Sequence, residues 1–85
     1  MVRYASWKYW QECGVRKFRV RIYRDAMVEN LYKFEVFEEN VYYGDIYVLF
    51  LNRELTVISI LASLPRSNVY SIICEIEKVL RSRRT

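Results

Sequence analysis

The residues best suited to chemistry lie in residues 16–24, where charged and apolar side chains alternate. An extended chain places alternate side chains on opposite faces. One face of this predicted strand is apolar and suits a core: Phe18, Val20 and Ile22. The other face carries three cations and a phenol: Lys17, Arg19, Arg21 and Tyr23.

Clustered cations of this kind favour phosphodiester backbones, and exposed aromatic rings stack on unpaired bases. Arginine suits both roles because its planar fork binds phosphate and stacks on rings. We therefore predict a small basic nucleic-acid-binding module, for single-stranded DNA or RNA rather than duplex. The predicted site comprises Lys17, Arg19, Arg21, Tyr23, Phe37, Arg16 and Arg24. Further rings that could stack on bases are Trp7, Trp10, Tyr42 and Tyr43.

Catalysis, metals and cofactors find little support in the sequence. The chain contains no His and only two Gly, so it lacks a neutral-pH base, a Gly-flanked nucleophile and a glycine-rich phosphate loop. The paired carboxylates of Glu38 with Glu39, and of Glu75 with Glu77, fit solvated surface. No catalytic residue, metal site or cofactor is predicted. Cys13 and Cys74 are far apart in the sequence, which favours free thiols and leaves a disulfide open.

The elements that must position these residues fit within one domain, residues 1–85. Charge is uneven: residues 1–24 carry +6, residues 25–64 carry −5 and residues 65–85 carry +3. The two basic ends could come together in the fold. Arg, Glu, Tyr, Val and Ile are frequent, a composition typical of thermophiles. No apolar run reaches membrane-spanning length and no signal sequence is recognised, so a cytoplasmic location is expected.

Hydrophobic periodicity predicts an α+β fold: a four-stranded antiparallel β-meander with a helix at each end. A short N-terminal helix is predicted over Val2–Cys13, with Gly14 as its cap and a strand as the rival reading. The predicted strands cover residues 15–24, 31–37, 41–51 and 55–61, with a bulge at Gly44-Asp45 and a hairpin turn at Asn52-Arg53. A longer C-terminal amphipathic helix, capped by Ser67, should pack on one sheet face through Val69, Ile72, Ile73, Ile76, Val79 and Leu80.

From Leu31 onward the order of elements resembles the C-terminal half of RelE/HigB-type ribosome-dependent ribonuclease toxins. The matching segments are Leu31–Val36, Ile46–Phe50 and Thr56–Ile60, followed by a terminal helix. Those toxins have an Arg entering the central strand, where this chain has Gly44-Asp45. The resemblance therefore implies such a fold without its catalytic residues.

A small sheet backed by a helix is also similar to dimeric single-stranded-DNA binders, such as Whirly-type proteins and helix-backed binders of thermophilic archaea. This similarity implies a homodimer, with nucleic acid as the partner. The competing hypothesis is a self-associating interaction domain without nucleic-acid binding. Its exposed aromatic side chains would be buried against a second subunit, with the segment around Trp7 and Trp10 as a candidate interface.

Overall fold

A computed structural model describes residues 6–82 as a five-stranded antiparallel sheet followed by one helix. The strand order in the sheet is the order in the chain. The elements are β1 (Trp7–Val15), β2 (Phe18–Asp25), β3 (Leu31–Glu38), β4 (Val41–Leu51), β5 (Glu54–Ala62) and α1 (Arg66–Ser82). β1 and β5 are the two edges, and α1 is not long and apolar enough to cross a bilayer.

The core lies between α1 and one face of the sheet. Every second residue of β2, β3 and β4 points to this face, and the helix contributes its predicted stripe. The buried side chains are Val15, Phe18, Val20, Ile22, Phe34, Val36, Ile46, Val48, Val69, Ile72, Ile76 and Leu80. The prediction of a C-terminal helix packed on one sheet face is thus confirmed. The carbonyl of Pro65 accepts from the amides of Asn68 and Val69 at 3.0 and 3.2 Å, so Ser67 lies inside the first turn and is not the cap.

The predicted N-terminal helix and the predicted count of four strands are wrong. The segment from Trp7 to Val15 is strand β1, paired antiparallel with β2; residues 1–5 of the predicted helix lie outside the described residues. The register shifts between Tyr9 and Gln11. This bulge inserts one extra residue at Trp10, so Trp10 and Cys13 both pack against the core although they are three residues apart, a spacing that also fits one face of a helix. Gly14 pairs with Arg19 within the sheet instead of capping a helix.

In three of the hairpins, a turn of two residues connects the paired strands. Arg16-Lys17 joins β1 to β2, a break that the prediction of one strand over residues 15–24 missed. Arg16 has a φ of 58° although it is not glycine. The predicted Asn52-Arg53 turn is confirmed, with φ values of 55° and 64°. Two consecutive positive φ values are typical of the type I′ turn, whose twist matches that of the flanking strands.

The centre of the sheet is irregular where the sequence predicted a bulge. The β3–β4 register shifts between Val36 and Phe37, which leaves Tyr43 as the extra residue next to Gly44. The Tyr43 ring packs edge-on against Phe18, with 6.1 Å between the ring centroids. The bulge shifts the phase of the alternation, so Tyr43 packs toward the core and Tyr42 lies on the opposite face.

Candidate nucleic-acid interface on the open sheet face

The sheet face opposite α1 carries mostly aromatic and charged side chains on its first four strands; we call it the open face. Cross-strand pairing aligns its residues in rows that run across the sheet. Six rings belong to it: Trp7, Tyr9, Tyr23, Phe37, Tyr42 and Tyr47. These rings come from all of the first four strands, so the aromatic surface extends across most of the sheet.

The rings contact one another in pairs. Trp7 lies 5.9 Å from Tyr47, Tyr9 lies 5.7 Å from Tyr23, and Phe37 lies 5.2 Å from Tyr42, measured between ring centroids. The interplanar angles are 59°, 73° and 45°, the tilted arrangements that aromatic quadrupoles favour. Tyr9 and Tyr42 are the most accessible, with 56% and 51% of their surface exposed.

Three cations of the open face lie against these rings. The Lys33 ammonium lies 5.2 Å from the Trp7 ring centroid and 5.0 Å from that of Tyr23. The guanidinium groups of Arg19 and Arg21 lie 5.2 and 5.0 Å from the centroid of Phe37. Cation–π attraction therefore links these three cations to the rings of the open face.

Three carboxylates on the same face balance these three cations. Glu12 accepts from Arg19 Nε at 2.7 Å, and Glu35 lies 3.4 Å from the Lys33 ammonium. Asp45 accepts hydrogen bonds from the hydroxyls of Tyr42 and, at 3.4 Å, Tyr47. The open face is thus close to neutral, although the β2 sequence by itself predicts a cationic surface.

Burial and the nearby carboxylates together raise the pKa of three phenols on this face. Burial, followed by the Asp45 carboxylate, raises the pKa of Tyr42 and of Tyr47 above the ordinary tyrosine value. Burial and then Glu35 raise the pKa of Tyr23. These rings therefore remain neutral hydrogen-bond donors in the neutral and mildly alkaline range.

Of the residues predicted for the site, Arg19, Arg21, Tyr23 and Phe37 lie together on the open face. Lys17 and Arg16 lie in the β1–β2 turn, where the Lys17 ammonium lies 3.5 Å from a carboxylate oxygen of Glu38. Arg24 lies on the side of the sheet that α1 covers, because it follows Ile22 by two positions.

The other predicted rings divide in the same way. Trp7 and Tyr42 lie on the open face, whereas Trp10 and Tyr43 pack against the core. Sequence reasoning did not assign Tyr9 or Tyr47 to the site. Tyr47 could have been found, because it alternates with the buried Ile46 and Val48. Tyr9 could not be found while β1 was interpreted as a helix.

Within residues 6–82, no three metal-ligating side chains of the His, Cys, Asp or Glu types come together. Cys13 and Cys74 are free thiols. Burial raises the pKa of the Cys13 thiol, against a lowering contribution from the Gln11 amide. A thiol with a raised pKa is a weak nucleophile at neutral pH.

Comparison with known proteins gives no relative for this chain: no family model, no curated protein and no solved structure matches it. Any functional assignment therefore rests on the surface itself.

Proposed function

We propose that the protein binds single-stranded nucleic acid across the open face. The observation that carries the proposal is the set of six aromatic rings on a sheet face that no element within residues 6–82 covers, with Arg and Lys side chains between them. Exposed aromatic rings suit unpaired bases, whose faces are free, better than a duplex, whose bases are already stacked.

Tyr9 and Tyr42 are the rings that we expect to stack on bases. They are the two most exposed rings of the open face, and they lie in different rows of the sheet. Stacking on an aromatic side chain contributes about 1–3 kcal/mol per base. Two such contacts would account for most of a weak-to-moderate affinity.

The cations would then orient the backbone. Arg19, Arg21 and Lys33 are partly engaged by rings and acids, so a phosphate must compete with contacts that already exist. Each phosphate contact made by a single strand adds about −0.7 to the slope of log K against log salt. Three contacts at most give a slope of about −2, shallower than an unpaired cationic strand would give.

Fluorescence anisotropy with labelled 5′-hydroxyl DNA and RNA oligonucleotides, at low and moderate salt, tests the proposal. Tyr9→Ser and Tyr42→Ser should each weaken binding about fivefold or more, in line with the loss of one stacking contact. The matched control is Tyr70→Ser, because Tyr70 is equally exposed at 58% but lies on α1. Equal affinity of all three variants and the wild type would refute binding at the open face, as would absence of binding at low salt.

Strand β5 supports a second candidate function, self-association. It forms an edge of the sheet, and no charged residue occurs between Leu55 and Pro65. Four of its apolar side chains are exposed: Val57, Ile58, Ile60 and Leu61. An edge strand with an uncharged stretch of this kind is a template for pairing with another chain.

Charge complementarity favours a second copy of this chain as the partner at that edge. Glu54 precedes the uncharged stretch and Arg66 follows it, and neither makes an ion pair among residues 6–82. Antiparallel pairing of two β5 strands about a two-fold axis would place the acid of each copy near the base of the other. The open faces of the two copies would then continue across the dimer.

Sedimentation equilibrium tests this dimer. Ile58→Lys and Leu61→Lys, at 55% and 64% exposure, should yield monomers at concentrations where the wild type is dimeric. Leu61 pairs with Asp45, so a Lys there gains a carboxylate neighbour and should leave the fold intact. Tyr70→Lys is the control and should stay dimeric. A wild-type protein that is monomeric at about 100 μM would rule out this function.

A further inference from the structure

Three cations that make no ion pair within the described chain lie at one end of the sheet, away from the open face. Lys8, Arg24 and Arg53 all lie at the end of the sheet where β1 begins and β2 ends. Arg24 and Arg53 line one depression of about 750 Å³ on the side of the sheet that carries α1. This surface belongs to neither interface discussed above.

The depression is cationic. Its third guanidinium, from Arg81, is held by Glu77 through bonds of 2.7 and 3.1 Å to one carboxylate oxygen. None of the described residues that line it is acidic, and its other polar side-chain groups are two amides, two hydroxyls and an indole N–H. Two acids, Asp25 and Glu29, line an adjoining depression with Arg24, but neither forms an ion pair with it. Asp25 accepts hydrogen bonds from the amides of Met27 and Val28 at 2.7 and 3.2 Å. The two unpaired guanidiniums therefore have donors available for an anion.

Aromatic side chains form the floor of the same depression. The rings of Trp10 and Tyr32 meet edge to face with 5.7 Å between their centroids, and Phe50 lies beside them against the core. The volume falls in the range of small-molecule sites, about 300–1,000 Å³. Apolar rings below and planar cations at the rim suit a ligand with a flat ring and an anionic group.

We propose that this depression binds a nucleoside phosphate. Arg24 and Arg53 bind the phosphate as bidentate donors, and the base rests on Trp10 and Tyr32. Two sources share this chemistry: a free mononucleotide and the phosphorylated end of a nucleic-acid strand. The site does not depend on the open face, because the two lie on opposite sides of the sheet.

Nitrogen-15 NMR titration with ADP, followed through the two indole N–H signals and the Arg Nε–H signals, tests the site. ADP should shift the signals of Trp10 and Arg24 and leave the Trp7 indole, which lies on the open face, unchanged. Adenosine without phosphate should bind at least tenfold more weakly. Absence of shifts at millimolar ADP and low salt would overturn the proposal.

Two variants form a matched pair for this titration. Arg53→Asn should weaken ADP binding at least tenfold, whereas Arg16→Asn should leave it unchanged. Both arginines have positive φ in hairpin turns, at 64° and 58°, and Asn tolerates that conformation. Both also lack an ion pair within residues 6–82, but they lie at opposite ends of the sheet. Equal weakening in the two variants would show only general attraction to positive charge and would overturn the site.

A comparison of 5′-phosphorylated with 5′-hydroxyl oligonucleotides separates the two sources. If the ligand is a strand end, the phosphorylated oligonucleotide should bind more tightly than ADP and Arg24→Gln should abolish the difference between the two oligonucleotides. If the ligand is a free nucleotide, the two oligonucleotides should bind equally while ADP still shifts Trp10. Tyr42→Ser changes only the open face, so it should leave ADP binding in the depression unchanged. Failure of the proposed binding at the open face would therefore not affect the test of the depression.

Discussion

At the scale of single residues, Gly44 sets how closely β5 approaches β4. Its φ of 131° lies in a region that L-residues rarely adopt. A Cβ at this position would collide with the backbone of Leu61 and Ala62. The glycine therefore allows the close approach that lets β5 pair next to the β4 bulge.

Gly44→Ala should lower the free energy of unfolding by about 2 kcal/mol or more, because it adds both a backbone clash and φ strain. Urea unfolding followed by circular dichroism measures this change. Gly14→Ala is the control: a Cβ there has its nearest neighbour at 3.9 Å, and its φ is not positive. Its effect should stay within about 1 kcal/mol. Similar losses in both variants would contradict the close approach of β5.

The tyrosines of the open face predict how stability depends on pH. Folding raises the pKa of Tyr42, Tyr47 and Tyr23. The unfolded chain therefore releases these protons first, near its ordinary tyrosine pKa of about 10. Their contribution to stability is complete below that pH and is lost as the pH rises above it.

Urea midpoints measured from about pH 8.5 to 11 should fall with rising pH. Tyr42→Phe should make the fall shallower, because it removes the phenol that donates to Asp45. Tyr70→Phe is the matched control, since its hydroxyl makes no hydrogen bond to a carboxylate within residues 6–82. A slope that is the same in the wild type and in Tyr42→Phe would refute this coupling.

At the scale of elements, α1 turns the sheet into a two-layer domain. Ile72 and Ile76 are fully buried against the strands, whereas Tyr70 on the same helix is exposed. Ile76→Ala should cost about 2–5 kcal/mol through lost burial and the cavity left behind. Thermal and urea unfolding measure it against Tyr70→Ala, which should change stability by less than about 1 kcal/mol. A small loss for Ile76→Ala would mean that α1 does not pack on the sheet as described.

Some elements of the fold could be predicted from the sequence and others could not. The β4 limits, the Asn52-Arg53 turn and the stripe of α1 follow from local patterns of two and 3.6 residues. β1 was not predicted, because the bulge at Trp10 shifts the phase of its alternation and hides the strand. The Arg16-Lys17 turn lacks Gly, Asn and Pro, so nothing in its sequence marks a break between strands.

The candidate site was predictable in its residue types but not in its electrostatics. The alternation in β2 correctly placed Arg19, Arg21 and Tyr23 on one face. Their acidic neighbours come from other strands: Glu12 from β1, and Glu35 and Asp45 from β3 and β4. Cross-strand register determines which side chains form such pairs. Register depends on turns and bulges, and local sequence patterns do not indicate all of these.

At the scale of the whole molecule, the two faces of the sheet have different charge environments. The open face combines rings with cations that carboxylates balance, and the opposite side holds Arg24 and Arg53 without ion pairs in the described chain. Stacking should therefore dominate binding at the open face, and phosphate contacts should dominate in the depression beside α1. Arg83 and Arg84, which the sequence adds to the basic C-terminus, lie outside the described residues.

The most direct test of the central claim is a two-dimensional NMR map of the amide signals that shift when a 5′-hydroxyl single-stranded oligonucleotide is added. Binding at the open face predicts that the largest shifts fall on Tyr9, Tyr23, Phe37, Tyr42 and Tyr47, with α1 nearly unchanged. Shifts confined to α1, or absent at oligonucleotide concentrations of about 1 mM and low salt, would contradict it.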